Sequence, residues 1–312
     1  MRKSVATITL NPSVDKTVIL ERFIPYGLNR VKSTRLDSGG KGINAARVIK
    51  SFGIEVTATG FIAGENGSFV TDCLSRAGIG HDFLQIDGET RVNLKIFDEA
   101  ARKMTEINEQ GFHISEENSE LFKLRFEKLM DRVGIVVLSG SLPQGLPASF
   151  YAKLISIAKN RGVNAVLDAD GEALRLGVDA VPYAIKPNLY ELETLVGRKC
   201  ESTKAIAAAS RELIYRGIQV VIVSMGANGA VIVTKDEGYK ADTWEIEEQS
   251  AVGAGDSMAA ALACSILNGE SLFNTAKLAV AAGTITASKP GTELCTFSEV
   301  SALFERVKLS RI

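Results

Sequence analysis

The sequence predicts an α/β fold built on a mainly parallel sheet, with a small β appendage. Three observations carry that expectation. Short apolar runs alternate along the chain with longer helical patterns, the order that builds a parallel sheet covered by helices. Several of these runs are apolar on both faces, as strands buried from both sides must be. Two early stretches, 14–36 and 83–112, break the rhythm with polar, alternating, turn-rich sequence. They read as short antiparallel strands with one wet face.

In chain order the strand candidates are 5–10, 56–61, 135–139, 165–168, 183–186, 220–224 and 230–234. Helical patterns fall at 42–52, 66–77, 116–132, 148–161, 202–216, 256–268 and 272–288. Gly162, Gly217 and Gly269 follow three of them, where glycine is favoured after a helix end. No repeat, low-complexity tract or long linker divides the chain, so a single domain, 1–312, is expected. The stretches 14–36 and 83–112 would form a lid over one end of its sheet.

Composition narrows the function classes. The 312 residues suffice for a sizeable core. With 36 basic and 37 acidic residues the net charge is −1. No single-sign field invites nucleic acid or a membrane surface, so an anion must be held by local chemistry. Cys73, Cys200, Cys264 and Cys295 are dispersed and form no C-x-x-C pair, which predicts reduced thiols in a cytoplasmic protein. No apolar run is long enough to span a membrane. The apolar run after the basic N-terminus is too short for a signal peptide and reads as the first strand. His81 and His113 lie apart from any other ligand type and read as structural or surface residues.

Four stretches carry chemistry. In VGAGDS, 252–257, a glycine turn feeds a helix with Asp256 in its first turn. Successive N–H groups at a helix start, with the helix dipole behind them, form an anion site. Charge developing on a phosphate could be held there while Asp256 takes a proton from a nucleophile; the alternative is an ordinary acidic first-turn residue. In SGGKGINAAR, 38–47, Gly39, Gly40, Lys41 and Asn44 open a helix. It is no Walker A loop, because Gly42 and not Ser or Thr follows the lysine. Close backbone approach, one ammonium and one amide fit a polyhydroxylated or phosphorylated small molecule. In KPNLYE, 186–191, Lys186 ends a strand and Asn188 and Glu191 share one face of the next helix. They could hold magnesium through its waters, although N-x-x-E is also common at helix starts. Finally, NPSVD at 11–15 offers Asp15, and RVNLK at 91–95 offers Arg91 and Asn93, with TEIN at 105–108 beside them. Carboxylates at sheet ends can bind sugar hydroxyls, and Arg30, Arg91 and Lys41 could clamp a phosphate.

Taken together and in this order, these stretches resemble the ribokinase-like carbohydrate kinases of the PfkB family. The likeness rests on TLNPSVD (9–15), GGKGIN (39–44), SGSLP (139–143), KPNLYEL (186–192), SMGANGA (224–230) and GAGDSM (253–258), and covers essentially the whole chain. Within the family the chain is most similar to 1-phosphofructokinases and tagatose-6-phosphate kinases. The resemblance implies a three-layer sandwich with a β-sheet lid, ATP and Mg2+ as cofactors, and a homodimer formed through the lid. It implies Asp256 as base, with the N–H groups of Gly253, Ala254 and Gly255 holding the transferring phosphate. Asp15, Gly39, Gly40, Asn44, Asn93 and Ser139 would meet the sugar, and Lys41, Arg30 and Arg91 the phosphate already on it. Lys186, Ser224, Gly226, Gly229 and Val252 would border the nucleotide, and Asn188 and Glu191 would organise magnesium. The implied reaction is ATP-dependent phosphorylation of fructose 1-phosphate, or else of tagatose 6-phosphate or fructose 6-phosphate. A silent sugar-phosphate sensor would instead lack the base or the glycines, and both are present. The chain departs from the family pattern at Ala251 and Asp170, where Thr and Ser are usual, and keeps every catalytic group.

Overall fold

The alternation inside single strands explains the layering. In β1 (Ser4–Thr9), Val5 faces one apolar core while Ala6 and Ile8 face another. The computed structural model describes residues 3–312. From β1 the chain continues through β2 (Ser13–Leu20) and β3 (Ser33–Gly39) to α1 (Lys41–Ser51), then β4 (Glu55–Ala63), α2 (Gly64–Arg76), β5 (Gly80–Ile86), β6 (Arg91–Asp98) and β7 (Lys103–Asn108). Next come α3 (Glu116–Met130), β8 (Ile135–Ser139), α4 (Phe150–Asn160), β9 (Asn164–Asp168), α5 (Gly171–Asp179), β10 (Ala184–Ile185), α6 (Leu189–Val196) and α7 (Thr203–Tyr215). The chain closes with β11 (Val220–Ser224), β12 (Ala230–Val233), β13 (Gly238–Asp242), α8 (Ala254–Asn268), α9 (Leu272–Ala287), α10 (Phe297–Leu303) and β14 (Lys308–Arg311).

Ten strands form the large sheet in the order β14-β13-β12-β11-β10-β9-β8-β1-β4-β5. Every pair from β5 to β11 is parallel, and β12, β13 and β14 extend it antiparallel. One face packs on α1, α2, α8, α9 and α10, the other on α3, α4, α5, α6 and α7. That is the expected sandwich, with helices on both faces of a mostly parallel sheet.

The second sheet, β3-β2-β6-β7, is the appendage. Two expectations about it are corrected. The stretch 83–86 belongs to β5, the edge strand of the large sheet, because Phe83, Leu84 and Ile86 are buried against its two cores. The appendage is also not wholly antiparallel: its central pair, β2 and β6, runs parallel. Each leaves the same end of the large sheet a few residues after a parallel strand, β1 or β5, so the two share a direction. Elements absent from the sequence reading are short or polar. α5 and α10 span 9 and 7 residues, and β13 (GYKAD) and β14 (KLSR) carry no apolar alternation. All four cysteines are free. Among the described residues no helix is long and apolar enough to cross a membrane.

Candidate active site

β1 pairs with β4 on one side and β8 on the other, so strand order reverses there. Open α/β sheets bind ligands in the crevice at the carboxyl ends of strands beside such a reversal. Here that crevice is a cavity of about 510 Å³. Thr9, Ser139, Asp168, Lys186 and Ser224, at or just beyond the ends of β1, β8, β9, β10 and β11, line its floor. Asp15, Arg91, Asn93, Lys95, Glu106 and Asn108 of the small sheet line it from the other side.

Asp256 stands where the two meet. α8 begins after Gly253, whose φ of 79° is left-handed. A Cβ on Gly253 would lie 2.5 Å from Leu294 Cδ2, so only glycine fits the turn. The residues that follow are small because α8 is buried against α9: Gly283 gives way to Met258, and Ala259 to Ala263 are fully buried. Asp256 is only 7% exposed. Asn44 Nδ2 donates to its Oδ2 at 2.8 Å. Burial, followed by the neighbouring Asp168 charge, pushes its carboxyl up to about 6, against the pull of Lys41, Asn44 and Lys186. Beside it the N–H groups of Gly253, Gly255 and Asp256 have no partner among the described residues, whereas Ala254 N–H points to Ala251 O at 3.3 Å. The expected anion cradle therefore gains Asp256 N–H and does without that of Ala254.

Asp168, which the sequence reading did not single out, organises the two floor lysines. Its Oδ1 lies 3.3 Å from Lys186 Nζ and 3.5 Å from Lys41 Nζ. Burial by itself would raise Asp168; Lys186 and Lys41 outweigh it and hold the carboxylate below its usual range. Lys41 is raised in turn by Asp168 first and Asp256 after it. The other oxygen, Asp168 Oδ2, is buried without a hydrogen-bond partner. Tyr151 fixes the end of β8 by donating to Ser139 O and Gly140 O, both at 3.0 Å.

On the lid side Asp15 is already bonded on both oxygens. Lys95 Nζ reaches Oδ2 at 2.6 Å, and Ser13 Oγ and Asn93 Nδ2 reach Oδ1 at 2.8 and 3.3 Å. Gly39 lies against this carboxylate, leaving no room for a side chain: its Cβ would be 2.4 Å from Asp15 Oδ1. Lys95 is the cation that sequence reasoning missed. Its signal was legible: Arg91, Asn93 and Lys95 alternate along β6 and so share one face.

The clamp of Arg30, Arg91 and Lys41 is not assembled as expected. Arg91 lines the cavity, but its Nη1 and Nη2 donate to Glu109 O at 2.8 Å and Asn11 O at 3.1 Å. Lys41 pairs with Asp168 on the floor, across the cavity from the lid residues. Arg30 is exposed in the loop between β2 and β3 and does not line the cavity. Asn44, expected to read sugar hydroxyls, has its amide on Asp256. Gly40, Ser139, Lys186 and Val252 do line the cavity.

Asn188 and Ser224 lead from this cavity into a second, shallower cleft of about 840 Å³ bordered by Gly226. The size suits a nucleotide. Gly229 borders neither cavity, and a Cβ there would lie 2.0 Å from Ala241 O, so the backbone turn leaves no room for a side chain. Asn188 and Glu191 form a capping box on α6: Asn188 Oδ1 accepts from Glu191 N–H and Glu191 Oε2 from Asn188 N–H, each at 2.8 Å. Among the described residues no three carboxylate, histidine or cysteine groups gather to hold a metal directly. What remains, Glu191 Oε1 and the orphaned Asp168 Oδ2, fits a hydrated magnesium ion carried on nucleotide phosphates.

Residues 8–298 match the pfkB family of carbohydrate kinases. The chain belongs to that family. This carbohydrate kinase is therefore a phosphotransferase with an alcohol acceptor. It is 36% identical, over 309 residues and 99% of both chains, to a 1-phosphofructokinase of Borreliella burgdorferi. Among solved structures it resembles Escherichia coli phosphofructokinase-2 in complex with substrates and products, at 29% identity and a TM-score of 0.93, over 97% of this chain and 99% of that one. It also resembles a Thermotoga maritima protein described as a possible 1-phosphofructokinase, at 25% identity and a TM-score of 0.91, over 99% of each chain. The pfkB kinase fold thus accounts for the large parallel sheet and the separate small one.

Proposed function

We propose that this kinase transfers the γ-phosphoryl group of ATP to fructose 1-phosphate, giving fructose 1,6-bisphosphate. The observation that carries the reading is the single cavity in which a buried carboxylate with a raised pKa, Asp256, faces a polar lid wall across the N-terminus of α8. The name of the Borreliella relative supports this choice of sugar. Asp256 removes the proton from the sugar hydroxyl as that oxygen attacks. The N–H groups of Gly253, Gly255 and Asp256, with the α8 dipole, hold the charge of the transferring group. Lys41 and Lys186, steadied by Asp168, stand beside it. Lys95, Asn93 and Arg91 present the cationic, hydrogen-bonding wall for the sugar and the phosphate it already carries. ATP would lie toward the cleft at Ser224 and Gly226. Glu191 and Asp168 would hold the waters of a magnesium ion on the nucleotide, which would supply charge neutralisation at the phosphates. A reaction that draws on ATP belongs in the cytoplasm.

A second reading, fructose 6-phosphate as acceptor, is favoured by the likeness to Escherichia coli phosphofructokinase-2, which has been solved with fructose-6-phosphate. Tagatose 6-phosphate is the third acceptor of this chemistry. A coupled assay of ADP release, run with each sugar phosphate in turn, separates them. The proposal expects the highest kcat/KM with fructose 1-phosphate. A higher value with either 6-phosphate replaces it, and no turnover with any of the three returns the silent-sensor reading.

The lid also supports a homodimer. Ile24, Tyr26, Leu28, Val31, Leu36 and Ile107 all lie on it and are 49–110% exposed. So much apolar surface on one small sheet marks an association site. Arg30 sits in the same loop, so any contact it makes with a sugar phosphate must come by loop movement or across such a dimer.

A further inference from the structure

We propose a second anion-binding site, separate from the reaction cavity, in the pocket where lid strand β3 meets helices α1 and α2. It has a volume of about 310 Å³ and shares no lining residue with the catalytic cavity. Arg47 of α1, Arg76 and Cys73 of α2, and Asp37 and Ser38 of β3 line it. A small oxyanion, inorganic phosphate or the phosphate end of a phosphorylated metabolite, is the chemistry that fits.

The argument starts from Arg47. This half-buried guanidinium has no hydrogen-bond or ion-pair partner among the described residues. Charged groups withdrawn from water are normally paired, so an orphan of this kind is costly. Burial pushes Arg47 down, Asp37 acts against that, and the neighbouring Arg35 charge adds to it. Asp37 is the one carboxylate lining the pocket among the described residues; its Oδ2 accepts from Arg35 Nε and from Thr292 Oγ1, each at 2.7 Å, and it makes no hydrogen bond or ion pair with Arg47. Arg76 adds a second guanidinium whose contact is Cys73 Sγ at 3.3 Å, with no carboxylate opposite it among the described residues. Two guanidinium groups lining one pocket, the half-buried Arg47 and the exposed Arg76, suit charge-assisted binding of a tetrahedral oxyanion. Arg47 lies on the helix that carries Lys41 and Asn44, and Ser38 directly precedes Gly39 and Gly40. An anion held here therefore ties the root of the lid to the helix that positions Asp256.

The test is thermal unfolding at constant ionic strength, with inorganic phosphate against chloride. The protein carries no other ligand, and any gain from phosphate in the catalytic cavity, which shares no lining residue with this pocket, is common to wild type and both variants. Wild type should gain about 2–4 °C at roughly tenfold excess over the dissociation constant. Arg47→Gln and Arg76→Gln should each lose most of that gain. In chloride, Arg47→Gln should be at least as stable as wild type, since it removes an uncompensated charge. The site is overturned if phosphate shifts wild type and both variants equally, or shifts none of them. It is equally overturned if Arg47→Gln is destabilised in chloride, because the arginine then serves a structural partner such as a second copy of the chain.

Discussion

Asp256 is held in a place that opposes its charge, and this sets two measurable consequences. Its folded-state pKa, about 6, lies above the ordinary 3.8. Between those values the folded state binds more protons than the unfolded one, so this group's contribution to stability falls as pH rises through the window. At neutral pH the ionised carboxylate costs roughly 3 kcal/mol. Asp256→Asn should therefore unfold at the same temperature as wild type or a higher one, while kcat drops about 10²–10⁴-fold. A variant with near-wild-type kcat would remove Asp256 from its role. Because the base must be ionised, kcat/KM of wild type should decline as pH drops through about 6; a flat profile down to pH 5 would contradict the assignment. Lys95 behaves oppositely. It pairs with Asp15 where both are nearly inaccessible, 3% and 5% exposed. Lys95→Met leaves a buried carboxylate uncompensated and should cost about 3–5 kcal/mol. Adding Asp15→Asn should recover much of that loss; if the double variant is no more stable than Lys95→Met, the pairing is not what stabilises the lid wall.

Helix α6 shows one element serving two purposes. Its capping box engages Asn188 Oδ1 and one oxygen of Glu191 and leaves the other oxygen toward the cavity. Asn188→Ala removes the cap and should lower stability by about 1 kcal/mol. Glu191→Gln keeps a capping oxygen but loses the charge, so it should raise the magnesium concentration needed for half-maximal rate with little change in unfolding temperature. An unchanged magnesium requirement in Glu191→Gln would reduce the pair to a helix cap. The spacing of Asn188 and Glu191 supports both readings in sequence; the hydrogen bonds show that the capping is real.

At the scale of the whole molecule, the body and the lid differ in what holds them. The body has two large cores, one on each face of the ten-stranded sheet, whereas among the described residues the lid's own apolar cluster holds Val18, Leu20 and Ile96, with Phe23 and Leu94 packed beside them, and Val14 joins a core of the body. So small a cluster places the lid at the low-stability end of the structure. Hydrogen exchange in β2, β3, β6 and β7 should slow when sugar phosphate is added, while β8 and β11 change little. Identical exchange of the lid in both states would mean that it does not close on the substrate. The same exposed apolar residues predict that Leu28→Glu with Ile107→Glu dissociates the dimer in sedimentation. A wild-type protein that sediments as a monomer at high concentration would rule the lid interface out.

The sequence by itself determined the parallel α/β body, because strands such as 135–139 and 220–224 are apolar on both faces and can be satisfied only between two helical layers. It also determined the position of Asp256, since the glycine turn and the small residues after it leave little choice of neighbours. Tertiary structure decided the partners. Asp168 reads as an ordinary strand-end residue until Lys41 and Lys186, 127 residues before it and 18 after it, converge on one of its oxygens. Arg91 reads in sequence as a free guanidinium fork; in the folded chain it lines the cavity with Nη1 already on Glu109 O and Nη2 on Asn11 O. Which strand joins which sheet was likewise settled by burial: 83–86 opens a stretch that is polar and alternating in sequence, but Phe83, Leu84 and Ile86 close the edge of the large sheet's two cores. Local pattern fixes which face of an element is apolar, whereas the pairing of charges depends on distances in space that only the folded chain sets.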